Sequence, residues 1–268
     1  MKPALALLCE GERALTPLPD ARHDALELLR KTLGIGTGVT ALLDAEADEA
    51  QQAAYRALLD RRRAGEPLQY ILGEAWFMGL RFYVDERVLI PRQDTELLCE
   101  RAVELKPRKA LELCVGSGAV AVSLQRLTGC EMTATDISVD ALDVARQNAD
   151  ANGANVRFLQ GDLWEAVPKG EAFDCILCNP PYLTKGDMEA LQTEVRREPA
   201  LALFGGEDGL DFYRRLRAGF AEHLLPGGRL LLEVGAGQVE GVQKLFAPYQ
   251  TRVHLDLNGI GRVVEAAI

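Results

Sequence analysis

Positive charge is scarce in this chain: 30 lysines and arginines stand against 40 aspartates and glutamates, a formal charge of −10 at pH 7. That balance argues against broad electrostatic binding of nucleic acid, whose phosphates are met by clustered basic side chains. The one basic run, Arg61-Arg62-Arg63, reads as the solvated end of a helix. Long apolar runs are also missing, so no segment approaches a membrane span, and no charged n-region leads into a signal peptide. A cytoplasmic protein with no membrane partner is expected. The six cysteines, Cys9, Cys99, Cys114, Cys130, Cys175 and Cys178, are dispersed rather than framed as a secreted disulfide set, and are expected to be reduced. Cys175 and Cys178 form a C-x-x-C, but residues three apart on a strand point to opposite faces, which excludes a shared metal or an easy disulfide. Only three histidines occur, His23, His223 and His254, none with a cysteine or carboxylate at metal spacing, so no metal is expected. No internal repeat or low-complexity segment is present.

At 268 residues the chain is long enough for one well-buried α/β domain and a small accessory one. Residues 1–69 are helical in tone. Ala21–Arg30 and Glu49–Arg63 carry apolar residues at three-to-four spacing, separated by a glycine-bearing turn over residues 34–38. Residues 70–92 alternate apolar and polar side chains around Gly79 and Asp85-Glu86, the pattern of a β-hairpin linker. Asp94 or Thr95 is placed to cap the helix that opens the third segment, 93–268. From residue 107 strands and helices alternate, which predicts a doubly wound, mostly parallel α/β sheet. Near the end, Arg252–Leu257, the Asn258-Gly259 turn and Arg262–Ile268 predict an antiparallel edge.

The chemistry gathers at four predicted strand ends. Lys109–Leu113 breaks into Cys114-Val115-Gly116-Ser117-Gly118 and a helix, the strand, turn, helix order of nucleotide binding, in which glycines let backbone approach a ligand. The next strand ends at Asp136, a carboxylate placed to accept from both ribose hydroxyls. A third, Val156–Gln160, ends at Gly161-Asp162-Leu163-Trp164, where Asp162 can meet an adenine amine and Leu163 or Trp164 can pack on the ring. The fourth, Phe173–Cys178, ends at Asn179-Pro180-Pro181-Tyr182. Two prolines restrict the backbone there, and the segment offers hydrogen-bond acceptors but no ionisable base. Such a mouth suits a planar, weakly nucleophilic nitrogen, an amide or an exocyclic base amine, with Tyr182 as a flat wall.

At these residues the chain resembles the class I S-adenosylmethionine-dependent methyltransferases. With further segments it resembles the protein-(glutamine-N5) methyltransferases of peptide chain release factors, the HemK/PrmC family. Those segments are Pro67–Gly73 through Phe77, Phe82–Val84, Val88–Arg92, Glu198–Arg214, Leu232–Gly235 and Asp256–Val264. The likeness runs from about residue 67 to the C-terminus; residues 1–66 match in length and helical character. Four positions depart from the family pattern: Cys114 where glycine is usual, Val115 where a hydroxyl is common, Gln93 where a second proline is common, and Leu163 ahead of the aromatic Trp164.

The resemblance implies a seven-stranded sheet carrying S-adenosylmethionine, with S-adenosylhomocysteine as product. It implies cofactor contacts at Cys114 to Gly118, Asp136, Asp162, Leu163, Trp164 and Asn179. The glutamine of a Gly-Gly-Gln loop would lie against Asn179, Pro180, Pro181 and Tyr182, with residues 1–69 recognising the substrate protein. By analogy with the family, the Asn179 oxygen and Pro180 carbonyl accept the two amide hydrogens, orienting the nitrogen lone pair and stabilising its developing positive charge, while Tyr182 flanks the amide. No strong base is needed, because an N-methylated protonated amide is very acidic. The alternative is a nucleic-acid amino methyltransferase acting on adenine or guanine, which poses the same chemical problem; the acidic chain and short helical extra domain favour a protein substrate. A monomer is the default expectation.

Overall fold

The structure, a computed structural model, describes residues 1–36 and 39–268. The last part of the expected turn between the N-terminal helices, Thr37 and Gly38, lies outside the described residues. Two compact units separate: Met1–Glu74 with Gln192–Arg197, and Ala75–Leu191 with Glu198–Ile268.

The first unit runs β1 (Lys2–Pro3), α1 (Ala4–Leu15), α2 (Ala21–Leu33), α3 (Val39–Leu43), β2 (Glu46–Ala47), α4 (Glu49–Arg63) and α5 (Leu68–Leu72). Helix α1 adds to the two helices expected; its buried residues Ala4, Leu7, Leu8, Gly11 and Leu15 fall on one stripe. Gly11 lets α1 approach α4, since a Cβ there would lie 1.9 Å from the Tyr55 hydroxyl. That hydroxyl donates to the Ala25 carbonyl at 3.0 Å. Helix α4 starts in a reciprocal capping box, Asp48 with Gln51. Of the basic run at its end, Arg61 and Arg63 are exposed as expected, but Arg62 is not. Arg62 is 6% exposed and is pinned between Asp24 at 2.6 Å and Glu194 at 2.7 Å, while Arg61 pairs with Glu66 and Arg63 with Asp60. The cause is tertiary: Asp24 on α2 is itself buried and requires a cation. Arg62 thereby also holds the segment Gln192–Arg197, whose Arg197 donates to the Ala64 carbonyl.

The second unit continues with β3 (Ala75–Phe77), β4 (Leu80–Phe82), α6 (Glu96–Leu105), β5 (Lys109–Leu113), α7 (Ala119–Thr128), β6 (Glu131–Asp136), α8 (Val139–Asn152), β7 (Val156–Gln160), β8 (Phe173–Cys178), α9 (Lys185–Glu189), α10 (Asp211–His223), β9 (Leu224–Glu233), α11 (Val239–Leu245), β10 (Gln250–Leu255) and β11 (Gly261–Ala267). The hairpin is shorter than expected. Tyr70–Leu72 is helical, β3 and β4 pair around Met78-Gly79, and Phe77 and Phe82 are buried in the core of this unit. Their burial makes the hairpin part of the second unit's core.

The sheet has the expected seven strands, in the order β10-β11-β9-β8-β5-β6-β7. Only β11 runs against the direction of the other six strands. Period-two alternation divides β8 between two apolar layers: Cys175 and Leu177 face α6 and α7, whereas Ile176 and Cys178 face α10 and α11. The two thiols of the C-x-x-C thus lie on opposite faces, and all six cysteines are free. From β5 the chain winds outward through β6 and β7, then returns to β8 on the other side. The carboxyl ends of β5 and β8 therefore flank a topological switch point, where open α/β sheets bind ligands.

Candidate active site

Leu113 and Cys178 are partners in the parallel register of β5 and β8, so the glycine turn and the Asn-Pro-Pro-Tyr segment leave the sheet side by side. The turn requires unusual backbone: Cys114, Gly116 and Gly118 have φ of +61°, +54° and +83°. Gly118 is further constrained by helix packing, because a Cβ would fall 3.1 Å from that of Ala145 on α8. At Gly116 an added Cβ would meet nothing, which leaves open space against the backbone. Val115 N–H donates to the Thr135 carbonyl at 3.0 Å, tying the turn to β6.

Asp136 completes this tie. Its two carboxyl oxygens accept from Gly116 N–H and Ser138 N–H, each at 2.9 Å. Burial raises its pKa above the ordinary carboxylate value, and the backbone N–H groups of Gly116, Ser138 and Ile137 oppose the rise. The strand-end carboxylate thus shapes the loop as well as facing the cavity.

A cavity of about 350 Å³ opens here. Of the residues expected from sequence, Cys114, Val115, Gly116 and Ser117 line it from the turn, Asp136 and Asp162 from two further strand ends, and Leu163, Asn179 and Pro181 close it. Gly118, Trp164, Pro180 and Tyr182 are not among its lining. Trp164 is turned away for a definite reason: its indole stacks on His223 with ring centroids 5.2 Å apart, and its N–H donates to the Arg215 carbonyl at 3.1 Å. Leu163, with φ of +49°, takes the position at the cavity instead. Asp162 is engaged by the Arg215 guanidinium at 2.7 Å, a partner that periodicity does not reveal. Pro180 is buried between Asn179 and Pro181, both of which line the cavity. Tyr182 packs on the core beneath α10, and burial pushes its hydroxyl up to about 12.

The segment after β8 is held by backbone. The Tyr182 carbonyl accepts from Gln238 Nε2 at 2.9 Å, and Leu183 exchanges hydrogen bonds with Leu203 and Gly205. No side chain fits at Gly205, where a Cβ would lie 2.6 Å from Tyr182 Cα.

Sequence reasoning missed several residues at this site. Glu198 is buried and accepts from Ile90 N–H at 3.1 Å and from Arg92, holding the segment whose Leu89, Pro91 and Arg92 line the cavity. Thr95 and Asp94 do not cap α6: Thr95 Oγ1 accepts from Asn179 Nδ2 at 3.2 Å, and Asp94 pairs with Arg262 at 2.9 Å. Glu112 on β5 lines the cavity, and burial pushes its carboxyl well above the usual range, with Asp136 adding to the rise and Ala121 N–H opposing it. Its Oε2, like Thr135 Oγ1, is buried without a hydrogen-bond partner among the described residues. Glu112 and Glu233 do carry a signal in the sequence, as lone carboxylates inside apolar strands, where charges are rarely buried without cause.

A seven-stranded sheet with a glycine turn, a strand-end carboxylate and an Asn-Pro-Pro-Tyr segment around one cavity at the switch point defines a class I methyltransferase. Family models agree: residues 110–198 match a methyltransferase domain, and residues 6–73 match the PrmC N-terminal domain. A release factor glutamine methyltransferase of Geobacter sulfurreducens is 43% identical over 267 residues, covering 96% of this chain and 93% of that protein. A ribosomal protein uL3 glutamine methyltransferase of Bordetella pertussis is 41% identical over 203 residues, covering 72% and 68%. Among solved structures, a methyltransferase from Pyrococcus furiosus shares the fold, with a TM-score of 0.55 at 20% identity over 82% of this chain and 100% of that one. The chain belongs to the release factor glutamine methyltransferase family.

Proposed function

We propose that this chain methylates the side-chain amide nitrogen of the glutamine in the Gly-Gly-Gln loop of peptide chain release factors, a reaction of translation termination. The observation that carries this reading is the β5/β8 register, which sets Asn179 beside the glycine turn at one cavity in a chain of this family. S-adenosylmethionine, when bound, supplies an electrophilic methyl group on a positively charged sulfur. The residues present fit it. Open space at Gly116 admits a ligand against the backbone, and the unpartnered Glu112 Oε2 is a buried acceptor on the cavity wall, suited to an ammonium group. Asp136 has lone pairs left for ribose hydroxyls, and Leu163 offers an apolar surface to adenine. Asp162, held by Arg215, keeps one oxygen for the exocyclic amine.

A neutral amide nitrogen is a poor nucleophile because its lone pair is delocalised into the carbonyl. The site's own residues reduce that delocalisation by accepting both amide hydrogens, Asn179 through Oδ1 and Pro180 through its carbonyl. Asn179 Nδ2 is already committed to Thr95, which leaves Oδ1 for the substrate. Pro181 restricts the backbone at the cavity, and Tyr182 supports the segment from the core.

Residues 1–69 would contact the body of the substrate protein, and the protein would act as a cytoplasmic monomer without nucleic acid. Among the described residues no helix is long and apolar enough to cross a membrane. Methyl transfer from labelled S-adenosylmethionine to purified release factor, ribosomal protein uL3, DNA and ribosomal RNA tests the proposal. Label in release factor at the Gly-Gly-Gln glutamine is expected. Transfer to uL3 or nucleic acid in its place would assign the enzyme a different substrate.

A further inference from the structure

We propose that Glu233 is a positioning residue for methyl transfer: it holds the Asn179 amide with nitrogen turned inward and oxygen turned to the substrate. The inference rests on the glutamine-methylating reading above. It begins from strand register. In the parallel pair β8/β9, Cys178 lies opposite Leu232, so Asn179 and Glu233 are the next residues in step. Alternation puts both on the face of Leu177 and Leu231, the layer that α6 covers. Thr95, the residue before α6, meets this face and accepts from Asn179 Nδ2 at 3.2 Å.

Glu233 and Thr95 are 3% and 5% exposed, and Thr95 and Asn179 are the hydrogen-bonding neighbours that lower the pKa of the Glu233 carboxyl. A hydroxyl has one hydrogen. With Thr95 Oγ1 accepting from Asn179, its own hydrogen is free for the neighbouring carboxylate. An ionised carboxylate can only accept, so it fixes the direction of the whole relay, from Asn179 N–H to Thr95 O–H to Glu233. A protonated carboxyl can donate instead. Directed at Asn179 Oδ1, that proton would remove the acceptor the substrate needs.

A purely structural carboxylate in this place would be expected to have a dedicated cation. Arg262, the cation facing Glu233, is shared between Asp94 at 2.9 Å and Asp256 at 3.2 Å. Glu233 Oε2 has no hydrogen-bond partner among the described residues. An incompletely compensated carboxyl at the end of an apolar strand opposes folding, and its position against Asn179 accounts for its presence. The groups facing it are Asp94 and Thr95 ahead of α6, Arg262 on β11, Tyr182 after β8, and Tyr213 on α10, whose hydroxyl donates to the Glu233 carbonyl at 2.8 Å. Burial is the largest influence and Asp94 adds to it; Thr95, Arg262 and Asn179 oppose it, and the carboxyl is pushed up to about 7. The sign follows: the orienting, ionised form is lost as pH falls through about 7, so turnover should fall with it.

The test is single-turnover methylation of a release factor at saturating S-adenosylmethionine, across pH values on both sides of neutrality. The wild-type rate should climb as pH rises through neutrality. Glu233→Gln keeps shape and an acceptor but cannot titrate: the low-pH limb should vanish and the plateau fall roughly tenfold or more, with cofactor affinity by calorimetry little changed. Thr95→Val should reproduce the loss of rate and Thr95→Ser restore it, which carries the test should Glu233→Gln fail to fold. A low-pH limb unchanged in Glu233→Gln, or a wild-type rate in Thr95→Val, would overturn the assignment. Failure of the wild-type enzyme to label release factor would instead remove the functional reading beneath it.

Discussion

Replacing Cys114 with glycine separates backbone from side chain at the cofactor turn. Cys114 sits at φ +61°, a left-handed conformation that costs an L-residue about 1–2 kcal/mol. Glycine removes that cost. Two effects oppose the gain: glycine's greater freedom in the unfolded chain, about 0.5–1 kcal/mol, and the loss of a partly buried CH₂–SH group, about 0.8 kcal/mol for its methylene. These nearly cancel, so stability should change by less than about 1 kcal/mol, or roughly 2–4 °C in Tm. Affinity for S-adenosylmethionine should hold or improve, because the turn is kept by backbone donors at Val115, Gly116 and Gly118 rather than by the thiol. Cys114→Val is the counterpart. A β-branched residue at positive φ is strained, and affinity should fall roughly tenfold as the turn distorts. Calorimetric titration with thermal unfolding reads both variants. A greater than tenfold loss of affinity in folded Cys114→Gly would refute the reasoning and assign the ligand contact to sulfur.

Asn179→Ala should lose about 10²-fold or more in kcat while remaining folded, and Asn179→Asp should keep partial activity, since a carboxylate still accepts; single-turnover methylation at saturating cofactor measures both, and a near wild-type rate in Asn179→Ala would leave the segment a structural turn. Asp136→Ala should weaken cofactor binding by roughly 1–3 kcal/mol, because it removes both a ribose acceptor and the anchor of Gly116 N–H. Unchanged affinity in that variant would place the ribose elsewhere. Arg62→Met should destabilise the first unit by about 3–5 kcal/mol by leaving Asp24 buried and unpaired, and adding Asp24→Leu should recover much of the loss in chemical denaturation. Strictly additive losses in the double variant would contradict a paired role.

What the sequence determines by itself is local. Alternating strands and helices from residue 107, the antiparallel ending and the four strand-end motifs are all legible, because burial on one face or two writes a period into the chain and glycines or prolines mark where it stops. The ligand class is legible for the same reason: Cys114 to Gly118, Asp136 and Asn179 each follow an apolar strand directly. Partnership between distant segments is not written that way. Arg62 reads as a helix end until α2 brings a buried Asp24 to it, and Trp164 reads as a ring for adenine until His223 and the Arg215 carbonyl claim its face and its N–H. Thr95 reads as a cap until the segment before α6 meets Asn179. In each case a polar or aromatic group has several partners it could satisfy, and only the packing of elements far apart in the chain decides which one it meets. Glu233 is the clearest instance: β8 and β9 are separated by 45 residues between Cys178 and its notional start at Leu224, yet their register sets its carboxyl beside Asn179.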